Sequence, residues 1–157
     1  MILNKFRGKS INKPEWKDDI DEQGWIYGSL IGEDVIVGDI IEFNDEYFNT
    51  EFWYKVDPKT VGRFIGLKDK LTKEIYEDDI FDLEEDGLKG VVKYCSAEAK
   101  FKIEIYGVDE YWNGLYDETR SGLLEVVDFD NYIYHETFCF TVIGNIHDNP
   151  ELLQTSH

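Results

Sequence analysis

The sequence predicts a mainly β protein: a small N-terminal β-hairpin subdomain, then an SH3-type barrel with a long loop insertion, then a short C-terminal helical turn. Three observations lead there. Ten Tyr and ten Phe dominate an aromatic share of 15%, and these residues suit strands better than helices. Apolar runs are short and separated by turn residues, while long helical periodicity is scarce. Hydrophobic residues make up 42% of the 157 positions, enough to build a core and too many for intrinsic disorder.

The elements follow in order. Trp25–Ile31 reads as the first strong strand, Gly32-Glu33-Asp34 as a turn, and Val35–Ile41 as the hairpin partner. Asn44-Asp45-Glu46 breaks the pattern, and Phe52–Val56 resumes it. In Asp57-Pro58-Lys59-Thr60, proline presets φ and Asp57 can bond forward to the backbone, which predicts a turn or a single helical turn. Gly62 and Gly66 flank a short extended piece, Arg63-Phe64-Ile65. Strands are then expected at Ile80–Leu83, Gly90–Cys95, Lys100–Tyr106, Leu123–Val127 and Phe138–Ile143. In Lys100–Tyr106 the alternation is strict: Phe101, Ile103 and Ile105 share one face, and Lys100, Lys102 and Glu104 the other. Residues 107–122 read as a long hairpin tip or ordered loop, and 130–137 as ambiguous with room for a short helix. Asn149-Pro150 is a helix start. These elements divide the chain into a hairpin subdomain over 1–63, a barrel over 64–149 and a tail over 150–157.

Composition excludes several functions. The formal charge is −18, from 34 acidic against 16 basic residues, and no basic stripe offers the counterion release that duplex binding needs. Direct nucleic-acid binding is therefore not expected. The plain reading of the charge is solubility; the sharper one is an acidic mimic of DNA aimed at a basic protein. No apolar run approaches the roughly 18 residues of a membrane span, and the N-terminal apolar run is too short for a signal peptide. Cys95 and Cys139 sit in strand-like runs without zinc-ligand spacing. Reduced thiols and a cytoplasmic location are the expectation. His135, His147 and His157 lack a partner at ligand spacing. No Gly-rich phosphate cradle follows a strand. No cofactor, metal or catalytic residue is expected, and the chain is not expected to be an enzyme.

Three segments, in order, resemble the YopX family of phage and prophage proteins. They are Trp25-Ile26-Tyr27-Gly28-Ser29-Leu30 after Lys5-Phe6-Arg7-Gly8, then Val56 to Glu77, and Val142 to Leu153. The resemblance implies a phage or prophage gene and an SH3-like barrel in the C-terminal portion. It implies no activity, because the family is known as proteins of unknown function. Two positions depart from the family pattern. Leu71-Thr72 stands where the pattern has Asn-Gly, so a different hairpin tip is expected. Asp78 stands where it has Gly, and Asp tolerates left-handed backbone at modest cost.

The remaining signal is aromatic: Tyr47, Phe48, Phe52, Trp53 and Tyr54 lie close together. Trp53 lies opposite Phe52 and Tyr54 on the pleat, so one set can face a partner unless something covers both. Trp25, Tyr27, Phe52, Trp53 and Tyr54 are the candidate interface residues, against the plainer reading that they pack within the protein. The expected role is a non-catalytic protein-binding module whose partner is another copy or a host or phage protein. The alternatives are an acidic DNA mimic and a structural homo-oligomer.

Overall fold

The computed structural model describes residues 4–12, 18–85, 87–107 and 123–153. The loop expected at 107–122 and the end of the tail lie almost wholly outside the described residues. The chain divides into two compact units, Met1–Phe64 and Ile65–His157. Both are built from antiparallel strands.

The first unit holds β1 (Phe6–Lys9), β2 (Trp25–Ile31), β3 (Val35–Val37), β4 (Ile40–Phe43), β5 (Phe48–Thr50) and β6 (Trp53–Lys55). Its sheet runs β6-β3-β2-β1, and the start of β7 (Gly62–Lys68) pairs with β1 through Phe6 and Arg63. Ile26, Ile36 and Val56, all 0% exposed, form its core. Phe6, Ile20, Leu30, Phe52, Tyr54 and Val61 pack around them. Asp57 caps the single 3-10 turn at Pro58–Thr60, where its carboxylate accepts the Lys59 N–H at 3.0 Å. The expected Val35–Ile41 strand is cut at Val37. Gly38 lies so close to Phe52 that a Cβ there would sit 2.7 Å from the ring. Ile40 and Ile41 thus belong to a separate two-stranded hairpin, β4–β5.

The second unit holds β8 (Glu74–Tyr76), which pairs with β7, then β9 (Asp79–Asp82), β10 (Lys89–Cys95), β11 (Lys100–Tyr106), β12 (Leu123–Asp128), β13 (Ile133–Tyr134), β14 (Thr137–Phe138) and β15 (Thr141–Asn145). Its main sheet runs β12-β11-β10-β9-β15. The alternation of β11 has its physical result: Ile103 and Ile105 are buried and Phe101 packs on the core they join. On the other face Lys100 and Lys102 reach Asp128 at 2.7 and 3.5 Å. Phe81 packs edge-on against Phe138 with centroids 4.7 Å apart. Its cross-strand partner is Gly90, where a Cβ would fall 2.2 Å from the Phe81 ring.

The described residues close no barrel: β12 and β15 end the sheet as edges. The 3-10 turn Phe129–Tyr132 and the β13–β14 hairpin add Phe129, Tyr132, Ile133 and Phe138 to the core instead. Residues 130–137 hold both a helical turn and a hairpin. The hairpin turns at His135 and Glu136, with φ of 50° and 63°, the positive pair of a primed turn.

Candidate functional site

The five aromatic residues singled out from the sequence occupy different environments. Trp25 is only 2% exposed. The Arg7 guanidinium lies 4.6 Å from its ring centroid and the Lys9 ammonium 5.4 Å, so two cations cover it. Phe52 and Tyr54 pack against the core of the first unit, with their rings 5.7 Å apart. The Tyr54 hydroxyl donates to Asp19 at 3.1 Å. Tyr27 is half-buried and its hydroxyl reaches Asp21 at 3.4 Å. Trp53 alone stands open, 65% exposed, on β6 at the end of the sheet.

The open apolar surface of this unit lies instead on the β4–β5 hairpin, where the sequence signalled Tyr47 and Phe48 but not Ile40, Ile41 or Phe43. Ile40, Ile41, Phe43, Tyr47 and Phe48 are 59%, 65%, 79%, 50% and 54% exposed. Phe43 and Phe48 are direct cross-strand partners and so share a face. Glu42 holds the other face, accepting from the Tyr47 hydroxyl at 3.4 Å and the Asn49 amide at 3.1 Å. Asn44 shapes the tip: its side-chain oxygen accepts the N–H groups of Glu46 and Tyr47 at 2.8 and 3.0 Å. At the root, Gly38 N–H donates to Phe52 and Glu51 N–H to Asp39. Residues 39–51 contain Asp39, Glu42, Asp45, Glu46 and Glu51 and no Lys or Arg. An isolated two-stranded hairpin is marginal in water, and apolar rings this exposed gain free energy when covered. The signal in the sequence was Ile40-Ile41 and Phe43 beside the turn Asn44-Asp45-Glu46, masked by the assumption that Ile40 and Ile41 continued β3.

Ionisable groups gather in the second unit, at the turn between β8 and β9. Asp78 adopts φ 73°, so the aspartate does take the left-handed backbone. Its carboxylate accepts from Lys93 Nζ at 2.5 Å and lies 3.0 Å from His147 Nε2. Burial pushes the Asp78 carboxyl up, but the hydrogen bonds from His147 and Lys93 outweigh it and hold the pKa below its ordinary value. Main-chain bonds continue the knot: Asp78 N–H donates to Val92 and Ile146 N–H to Asp78. The Asn145 side-chain oxygen accepts from His147 N–H and Asp148 N–H, both at 2.9 Å. This cluster ties together a turn, β10 and the segment after β15, which is a structural task.

Cys95 and Cys139 are free thiols. Burial pushes the Cys139 thiol pKa up, which lowers its thiolate fraction and its nucleophilicity. Among the described residues no group of three metal-ligating side chains converges, and no helix is long and apolar enough to cross a membrane.

With this geometry in place, comparison with known proteins gives a family. The model of the family described as "YopX protein" matches residues 5–154. The chain belongs to the YopX family. No curated protein matches it. Among solved structures, this YopX-family chain is similar to protein EF1440 from Enterococcus faecalis, at 20% identity and a TM-score of 0.46. The alignment covers 96% of this chain and 97% of that one.

Proposed function

We propose that this YopX-family chain is a non-catalytic protein-binding module that docks through the β4–β5 hairpin. The observation that carries the reading is the paired exposure of Phe43 and Phe48 on a hairpin with no bases of its own. The role is that of a phage- or prophage-encoded accessory protein acting in the cytoplasm of a bacterial host. The reading of residues 64–149 as an SH3-type barrel, here opened, draws on the five antiparallel strands of the second unit. A complementary surface would present an apolar cleft with a basic rim. That chemistry fits a nucleic-acid-binding host protein better than a second acidic copy, which favours the DNA-mimic form of the module over a homo-oligomer.

The test uses immobilised wild type, the Phe43→Asp/Phe48→Asp double variant and, as a control in the other unit, Tyr134→Asp, each exposed to host lysate. A partner held by wild type and by the control but lost by the double variant supports the reading. Identical captures from all three baits overturn it. Duplex DNA then competes for the same partner if the acidic surface acts as a mimic, while the protein itself gives no gel shift at physiological salt. Sedimentation as a dimer that the double variant dissolves would return the homo-oligomer.

A further inference from the structure

The second unit contains an open, mainly apolar cavity that the docking role leaves unused. Its volume is about 480 Å³, within the range of small-molecule sites. Leu83 and Leu88 wall one side, at the two ends of a tight turn closed by Leu88 N–H donating to Glu85 and Leu83 N–H to Leu88. Ile105 and Leu124 supply the sheet side, and Tyr132 and Phe140 form an aromatic corner with centroids 5.4 Å apart. The other two lining residues are Glu85 and Glu125. No Lys or Arg lines the cavity.

Glu125 is the informative residue. It is the cross-strand partner of Ile105, which is 8% exposed and belongs to the core. Directly opposed residues share a face, so Glu125, exposed on the edge strand β12 and next to the register shift between Ile105 and Tyr106, stands at the rim of the cavity on the same face as Ile105. Among the described residues neither Glu125 nor Glu85 is held by an ion pair or a side-chain hydrogen bond. A negative charge beside an apolar wall, with an aromatic corner in the same cavity, selects one ligand chemistry. Apolar walls take a hydrocarbon body, and a protonated amine meets carboxylates by charge-assisted hydrogen bonds and aromatic faces by cation–π attraction. An anion meets only repulsion.

We infer that this cavity binds an apolar organic cation, a small hydrophobic body ending in an ammonium group, with Glu125 and Glu85 as its charge-recognising residues. The probes are phenylbutylammonium, phenylbutanol and phenylbutanoate, which share a body and differ in the charge of the head. Each is titrated into the full chain by calorimetry, and amide NMR shifts locate the site. The ammonium probe should bind roughly threefold tighter than the alcohol, the gain of an exposed ion pair of under about 1 kcal/mol, and the carboxylate should bind more weakly than either. Its shifts should centre on Leu83, Leu88, Ile105 and Leu124. The near-isosteric Glu85→Gln/Glu125→Gln variant should keep the alcohol affinity and lose the ammonium preference. Leu88→Trp, filling the cavity, should remove binding of both. Equal affinity for ammonium and alcohol overturns the inference, as does shift of residues elsewhere or an ammonium preference that survives the double variant. In that last case Glu125 would serve only as a charge guarding an edge strand against pairing with another chain.

Discussion

Two hairpins in this molecule use the same device at their tips and meet opposite fates. At the tip of β4–β5, the Asn44 side-chain oxygen accepts two main-chain N–H groups, from Glu46 and Tyr47. At the tip of β7–β8, Asp69 Oδ1 does likewise for Leu71 and Lys73, at 2.8 and 2.9 Å. Asp69, however, has a second carboxylate oxygen, and it accepts the Val142 N–H at 2.9 Å. That bond ties the tip to β15, and Asp69 is 1% exposed where Asn44 is exposed. Ile75 on β8 is 0% exposed, while Phe43 on β4 is 79% exposed. The comparison separates what makes a hairpin from what docks it. The turn chemistry is local and shared; burial depends on a contact made far along the chain.

The comparison breaks if the two hairpins respond alike to truncation. Ile75→Ala should cost about 2–5 kcal/mol of unfolding free energy, from lost transfer energy and the cavity left behind. Phe43→Ala should stay within about 0.5 kcal/mol, as surface changes do. Urea denaturation reads both, and similar losses would mean the exposed hairpin is covered in the isolated protein.

The tips sharpen it next. Asp69→Asn preserves one acceptor and points an amide at the Val142 N–H, so it should cost about 1–3 kcal/mol. The reciprocal Asn44→Asp should be close to neutral, because Asn44 is exposed and its side-chain oxygen accepts from its own turn. Equal costs would show that the tether to β15 is energetically idle.

The smallest effect concerns Thr72, which sits at φ 68° although it is β-branched. Thr72→Gly should stabilise the protein by roughly 1 kcal/mol through relief of left-handed strain. A loss in thermal unfolding would mean that the threonine side chain contributes more than its backbone costs.

Acid probes a third turn, at Asp78. Its pKa is lowered from 3.8 in the folded state. The stability it contributes is therefore fully present above that ordinary value and drains away as pH falls below it towards the folded pKa. Asp78→Asn should flatten this acid limb of the stability curve.

Legibility followed locality. Trp25–Ile31 and Lys100–Tyr106 were readable because pattern and burial coincide within one strand. The end of β3 was not, because the interruption at Gly38 is set by the ring of Phe52, a residue fourteen positions away. The hairpin tip at Leu71-Thr72 does depart from a paired primed turn, since Thr72 enters the left-handed region and Leu71 does not, while the Asp69 carboxylate binds the N–H groups of Leu71 and Lys73 on either side. The burial of Trp25, a candidate for a partner surface, is not legible locally, because its covering cations, Arg7 and Lys9, come from β1 rather than from its own strand. The segments that carried the family resemblance contain Asp57, Asp69 and Asn145, and each of these side chains organises backbone. Resemblance thus made the scaffold readable and left the exposed surface, which no such segment covers, to be found in three dimensions.

The pairing of β9 with β15 has a consequence for the birth of the protein. These neighbours lie about sixty residues apart in sequence. A ribosome moving at roughly 5–20 residues per second separates their emergence by several seconds. During that interval Ile80 and Phe81, both fully buried in the finished fold, have no partner strand on one side. Contacts of such long range also close slowly. Glu77, Asp78, Asp79, Asp82, Glu84 and Glu85 crowd both ends of this strand, which is where charged gatekeepers oppose aggregation. The acidity around β9 is thus placed to guard a waiting strand on a nascent chain as well as to serve the folded protein.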